Sequence, residues 1–350
     1  MEQQRDILGM LDLMVVPAFC VRDQTVLRGN PAAQGLLISP GTPIRELLLT
    51  GETEYASFRG GCLYLTLTLC GTPRAASVSR MEDLDIFVLE PANTREELAS
   101  LALAARELRE PLADVMLSAE RLFPTVGEGE AANLNRSLYR MLRILGNMAD
   151  AGSFAAGSHQ ETVNICAAVE DIFASAREAL LQSGKELLFE VPQSAIYCLA
   201  DVQQLERAIL NMLSNAGKFA QRGEPIRAEL NRQGRMLRIH VTNSGDGISR
   251  ELLPTLFTRY LRQPTLEDSR FGIGLGMVLI RSAASSHGGT VLIDSPGEGL
   301  TRITMTLAIR QNSEPVLRSP ILRTDYSGER DHTLVELSDC LSPELYDPQP

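Results

Sequence analysis

Two long apolar stripes, one after the other, restrict this chain more than any other feature. The first runs Leu98, Leu101, Ala105, Leu108, Leu112, Val115, Ala119 and Leu122; the second runs Leu134, Leu138, Met141, Leu145 and Met148. Steps of three and four without a break describe helices that each bury one face against another helix. Gly127 and Gly129 lie between them and supply the turn. An antiparallel helical hairpin is expected over residues 93–155. One hairpin cannot cover both stripes by itself, and pairing with a second copy into a dimeric four-helix bundle completes the burial. Pro111 removes one backbone hydrogen bond from the first helix. The stripe stays in phase on both sides of it, so a kinked, continuous helix is expected.

Residues 1–92 read as a small α/β unit. A strand is expected around Val15–Val21, a second in the alternating run CLYLTLTLC (62–70), and a third in DIFVLE (85–90). Asn30 followed by Pro31 marks the start of a short helix. The order, with a last strand leading into the helical hairpin, resembles a PAS sensor domain. No haem or flavin ligand stands out in it.

After Gly157 the pattern changes to alternating helices and strands, and an α/β sandwich is expected over 160–310. Residues 163–184 read as a strand and a helix, and KELLFEVP and AIYCLA as strands. Asp201 caps a helix through Ala220. Further strands follow in RAEL, MLRIHVTN, TVLIDS and TRITMTLAI. Four motifs are set into this frame. In LNMLSNAGKFA, Asn211 and Asn215 are four apart and share a helical face, with Lys218 one turn on. Amide oxygens suit Mg²⁺, and a lysine suits phosphate. VTNSGDGIS holds Asn243, Gly245, Gly247 and Ile248, where glycine lets backbone approach a flat ligand. LPTLFTRYLRQ carries Phe257 and Tyr260, followed by a short polar segment at 263–270. In FGIGLGMVLI, Gly272, Gly274, Leu275 and Gly276 open a helix, whose unpaired N–H groups and dipole favour an anion. GEGLT, ending at Thr301, follows. His287 stands at the end of that helix and reads as a cap. A dinucleotide fold is excluded, because the glycine motif does not follow the first strand of a βαβ unit.

In this order the motifs resemble the N, G1, F and G2 boxes of the sensor histidine kinases, a family whose Bergerat-type ATP fold is shared with gyrase and a heat-shock chaperone. The resemblance covers residues 95–310 and, loosely, 1–90. It implies ATP and Mg²⁺ as cofactors. Asn215 would be the metal ligand, and Asn211, Lys218, Asn243, Gly245, Gly247, Ile248, Gly272, Gly274, Leu275, Gly276 and Thr301 would surround the nucleotide. Asn243 stands where the family has an aspartate for the adenine amino group; its oxygen can accept the same hydrogen bond without charge assistance.

The phosphoacceptor motif is altered. RELREPL (106–112) matches the family's HELRTPL except that Arg106 replaces the histidine and Glu110 the threonine. A guanidinium has no free lone pair and cannot attack a γ-phosphate. Glu107, which the resemblance makes the proton-accepting neighbour, is left as half of a surface ion pair or as a free charge. Of the four histidines, His159 follows the hairpin, His240 lies in a strand, and His287 and His332 come later. Three readings follow. The first is a signalling protein that binds Mg-ATP without autophosphorylating at the usual place and regulates or trans-phosphorylates a partner. It would act as a homodimer or a heterodimer with another histidine kinase, and a response regulator is a further expected partner. The second is an active kinase using another residue, His159 first. The third is a structural dimerisation module with a relic ATP site.

A net charge of -11 argues against a nucleic-acid partner. No run approaches a membrane span, and no signal peptide stands at the N-terminus. Six cysteines without a CxxC pair argue against zinc and suit the reducing cytoplasm. Residues 311–350 hold eight acidic against three basic side chains and read as a mostly disordered acidic tail, with TLVELSDCL (333–341) as an optional docking helix.

Overall fold

The computed structural model describes residues 9, 11–36, 38–81, 83–91, 94–153, 159–245, 247, 274–310 and 330–348. The N-terminal part carries strands β1 (Ala18–Arg22) and β2 (Thr25–Gly29), short helices α1 (Pro31–Gln34) and α2 (Glu52–Ala56), and strands β3 (Cys62–Leu69), β4 (Thr72–Met81) and β5 (Leu84–Leu89). Asn30 caps α1: its Oδ1 accepts the N–H groups of Ala33 and of Ala18, both at 3.0 Å. Strand β4 was not expected from its sequence, TPRAASVSRM, where small and polar residues hide the alternation. It pairs antiparallel with β3 over residues 72–79 and with β5 over residues 76–81.

Helices α3 (Thr94–Leu122) and α4 (Glu128–Ser153) form the hairpin, and α3 runs through Pro111 without interruption. Leu98, Ala105, Leu112 and Ala119 are buried, and so are Leu138 and Leu145 on α4. The other row of the stripe, Leu108, Val115 and Leu122, is half exposed, as are Leu134 and Met141.

The third part begins with β6 (Glu161–Asn164), α5 (Ile165–Gln182), β7 (Leu187–Glu190) and β8 (Tyr197–Ala200). It continues through α6 (Val202–Phe219), β9 (Ile226–Gln233), β10 (Met236–Ser244), α7 (Leu275–Ser286), β11 (Val291–Asp294) and β12 (Leu300–Ala308). Helices α5 to α7 bury Phe173, Leu180, Ile209, Leu213 and Ile280 against Ala228, Ile239, Val241 and Met305 of the strands. Asp201 caps α6 by accepting the Gln204 N–H at 3.1 Å.

Among the described residues the strands of the first and third parts share one sheet, in the order β2-β1-β5-β4-β3-β11-β12-β10-β9-β7, except β6 and β8, which pair antiparallel with each other. The junction is the antiparallel pair β3–β11, with Cys62, Leu63 and Tyr64 opposite Ile293, Leu292 and Val291. Gly61 makes it fit: its φ is +91° and a Cβ there would stand 2.1 Å from the Ile293 carbonyl oxygen. Ion pairs reinforce the junction, Arg281 to Glu90 and Arg238 to Glu54 at 3.7 Å.

The C-terminal segment differs from expectation. Residues 330–348 contain helix α8 (His332–Leu337) and a 3-10 turn at Pro343–Tyr346. Asp331 caps α8, accepting the Thr333 N–H at 2.7 Å. Val335, Leu337, Cys340, Leu341 and Tyr346 are buried, most of them in the same core as α5 and α6. The expected disorder fails here because the acidic residues alternate with enough apolar ones to bury a face, and because basic side chains of α4 and α6 receive the acids. Residues 311–329 lie outside the described residues.

Candidate functional site

Helix α6 presents one polar face of residues spaced by three or four: Arg207, Asn211, Asn215 and Lys218. Asn211 is buried, and its amide is fully engaged. Its Oδ1 accepts from Arg143 Nη2 at 3.0 Å, and its Nδ2 donates to the Arg207 carbonyl at 2.8 Å and to Glu336 at 3.3 Å. Asn215 is half buried and its Nδ2 lies 3.8 Å from Met277 Sδ. The two asparagines therefore both face the start of α7. A Cβ on Gly276 would stand 2.7 Å from Asn211 Oδ1, so glycine is what lets α7 come this close.

Helix α7 starts at Gly274, whose φ is 83°, with no side-chain cap and no acidic residue in its first turn. The cap residue itself has no side chain to satisfy the first N–H groups. Leu275 is buried with Leu98, Ala151, Val278 and Leu279, so only its backbone is turned to polar use. Strand β10 brings Asn243 opposite Thr301 of β12. Asn243 is buried and donates to the Ser244 carbonyl at 3.1 Å. The Gly245 N–H donates to the Gly299 carbonyl at 2.8 Å, tying the two glycine turns together, and Gly247 is exposed. Ile248, Gly272, Phe257, Tyr260 and the segment 263–270 lie outside the described residues.

Lys218 pairs with Asp339 of the C-terminal segment. Burial and the nearby Arg143 lower its pKa more than Asp339 raises it. Asp339 shifts for the opposite reason: burial alone would raise it, but Arg143 and Lys218 hold its carboxyl well below the usual range. The two shifts agree on one physical picture, a carboxylate surrounded by more positive charge than it neutralises. Arg207 joins Glu336, Asp150 at 2.9 Å and Asn147 at 2.9 Å. Sequence reasoning did not single out Arg143, Arg207, Glu336 or Asp339. The four-residue spacing of Arg207 from Asn211 was the available signal; the others come from distant segments.

Arg106 and Glu107 are exposed on α3. His159 is exposed, and its backbone N–H donates to Asp201 at 3.0 Å. His287 is buried at the end of α7, where Nε2 accepts the Asp201 N–H at 2.9 Å and Nδ1 lies 2.7 Å from the Ala283 carbonyl oxygen. Among the described residues no group of His, Cys, Asp and Glu is arranged to hold a metal by itself. Nor is any helix there long and apolar enough to cross a membrane.

The glycine-started helix α7 opens on the asparagine face of α6, beside paired glycine turns of an α/β sandwich. Residues 200–311 match the histidine kinase-, DNA gyrase B-, and HSP90-like ATPase family. The curated relatives that the chain resembles over the hairpin and this part are sensor histidine kinases. It is 26% identical over 217 residues to the sensor protein KdpD of Clostridium acetobutylicum, covering 59% of this chain and 24% of that protein. It is 29% identical over 232 residues to the histidine protein kinase DivJ of Caulobacter vibrioides, covering 63% of this chain and 38% of that one. The chain thus spans well under half the length of these relatives. The crystal structure of full-length ShkA in complex with AMPPNP is similar with a TM-score of 0.49 and 20% identity, over 64% of this chain and 48% of that chain.

Proposed function

We propose that this chain is a two-component signalling protein that binds Mg-ATP between α6 and α7 and does not phosphorylate itself at the family's usual position. The carrying observation is the approach of Asn211 and Asn215 to the glycine-opened start of α7, whose cap residue, Gly274, has no side chain. The residues fit the group. Asn215 would ligate Mg²⁺ through its amide oxygen. The first N–H groups of α7 would face the phosphates. Asn243 and Thr301, opposite each other, would meet the adenine edge. Bound Mg-ATP would supply a transferable γ-phosphoryl group; the chain's own part is to orient it and to exclude water.

Arg106 occupies the phosphoacceptor position, so a phosphoryl group would go to a partner's histidine, or the nucleotide would act as a signal alone. The exposed row Leu108, Val115 and Leu122 of α3, with Leu134 and Met141 of α4, supports pairing through the hairpin, with a second copy or a related kinase. The antiparallel sheet of β1 to β5, leading directly into α3, supports a PAS-like sensor role for residues 1–92.

The test is binding followed by labelling. Asn215→Ala should weaken Mg-ATP about tenfold or more, as loss of a metal ligand does. Full affinity in that variant would remove the site assignment. With γ-labelled ATP the lone protein should carry no acid-labile phosphate. Acid-labile label abolished by His159→Ala would favour an active kinase instead.

A further inference from the structure

The C-terminal segment ends on the face that a nucleotide would need. Asp339 is held by Arg143, by Lys218 and by Arg140 at 2.9 Å. Glu336 is fully buried and meets Arg207, the Asn211 amide at 3.3 Å and Arg143 Nε at 3.6 Å. Four cations therefore converge on two carboxylates, with Asp150 of α4 the other acid on Arg207. Lys218 and Asn211 belong to the set assigned to nucleotide above. The cations gathered here repel one another, and an anion of higher charge than a carboxylate would relieve that repulsion better.

The same segment also grips the hairpin. Arg136 Nε donates to the Ser338 carbonyl at 3.0 Å, Asn135 Nδ2 donates to the Tyr346 carbonyl at 2.8 Å, and the Tyr139 and Tyr346 rings meet edge-on at 5.0 Å. On the other side Lys185 donates to the Cys340 carbonyl at 2.9 Å, and Cys340 lies against Gly217 of α6. The segment is wedged between α4 and α6, with contacts to both.

We propose that residues 330–348 are a built-in competing ligand: Glu336 and Asp339 engage Asn211 and Lys218 in place of nucleotide phosphates, so that docking of this segment and binding of Mg-ATP exclude each other. This rests on the nucleotide reading given above. Displacing the segment would also remove one of the ties between α4 and α6, leaving those of Arg143 to Asn211 and of Arg207 to Asn147 and Asp150, so occupancy of the site would be felt at the hairpin.

The test uses the full chain, with Asp339→Asn as the mild variant and Glu336→Gln/Asp339→Asn as the stronger one. Mg-ATP affinity is measured by calorimetry, and amide hydrogen exchange is followed over residues 332–341 with and without nucleotide. Asp339→Asn should bind Mg-ATP about tenfold more tightly than the unaltered chain. Saturating nucleotide should raise exchange across 332–341 in the unaltered chain. Equal affinity in both chains, with 332–341 still protected at saturation, would overturn the competition and leave the nucleotide site standing. Binding by none of the three proteins would remove the nucleotide site itself, and the competition with it.

Discussion

His287 accepts a hydrogen bond from the Asp201 N–H at Nε2 and reaches the Ala283 carbonyl through Nδ1, so its ring must be neutral and protonated on Nδ1. A proton on Nε2 would set two donors against each other. Burial lowers its pKa from the ordinary value and outweighs the support that Ala283 and Asp201 give the charged form, with a smaller push in the same downward sense from Arg310. The unfolded chain then takes up the proton first as pH falls through about 6.5, so stability is full above that value and declines below it. Denaturant unfolding should show this slope between pH 7.5 and pH 5.5. His287→Ala should flatten the slope and cost about 1–3 kcal/mol at neutral pH by orphaning the Asp201 N–H. His240 is likewise lowered, by burial and then by Arg302, and accounts for what slope remains. An unchanged slope in the variant would remove His287 from the account. Its capping role was legible because helix ends are local in sequence, as was Asn30 beside Pro31. The partnership of Arg207 with Glu336 was not, since the two are 129 residues apart and an acidic tail gives no hint of which cation it meets.

At the scale of elements, α3 shows how far a periodic pattern carries. The stripe foresaw a hairpin, yet a single chain buries only the row Leu98, Ala105, Leu112 and Ala119. The row Leu108, Val115 and Leu122 keeps about half its surface in water. The pattern thus encodes two neighbours for one helix, of which the fold supplies one. Light scattering should find a dimer, and Leu108→Glu/Val115→Glu should give a monomer whose thermal unfolding shifts little, because both positions are exposed within the chain. A variant that remains dimeric would move the interface elsewhere. Helix α8 teaches the converse. Composition pointed to disorder, whereas Val335, Glu336, Leu337 and Leu341 are all buried. The cations that receive its acids, Arg140, Arg143, Arg207 and Lys218, stand on helices that composition of the tail cannot reveal. Strand β4 escaped notice for a simpler reason, its Ala75-Ala76 centre lacking bulky alternation.

Across the whole molecule the β3–β11 junction was out of reach of sequence reasoning, because each strand reads as an ordinary member of its own sheet. Backbone hydrogen bonds carry no residue code, and the one local sign is Gly61. Gly61→Val would drive a side chain into the Ile293 carbonyl at a backbone angle valine rarely adopts. A loss of about 2–4 kcal/mol is expected. Denaturant unfolding should split into two transitions as the N-terminal and C-terminal sheets part. One cooperative transition at the unaltered midpoint would show that the junction contributes nothing to cooperativity.

The junction also limits how freely this chain's parts could be exchanged. Grafting another N-terminal domain onto the hairpin at residue 92 would leave β11 as a bare sheet edge, with Leu292 and Ile293 on it and only Asp294, already paired with Arg302, to discourage a stranger. A graft of that kind would invite intermolecular strand pairing, and a workable chimera would have to carry β3 and Gly61 along with the ATPase part. In this protein the natural unit of recombination is therefore set by a shared hydrogen-bond ladder as well as by the linker between domains.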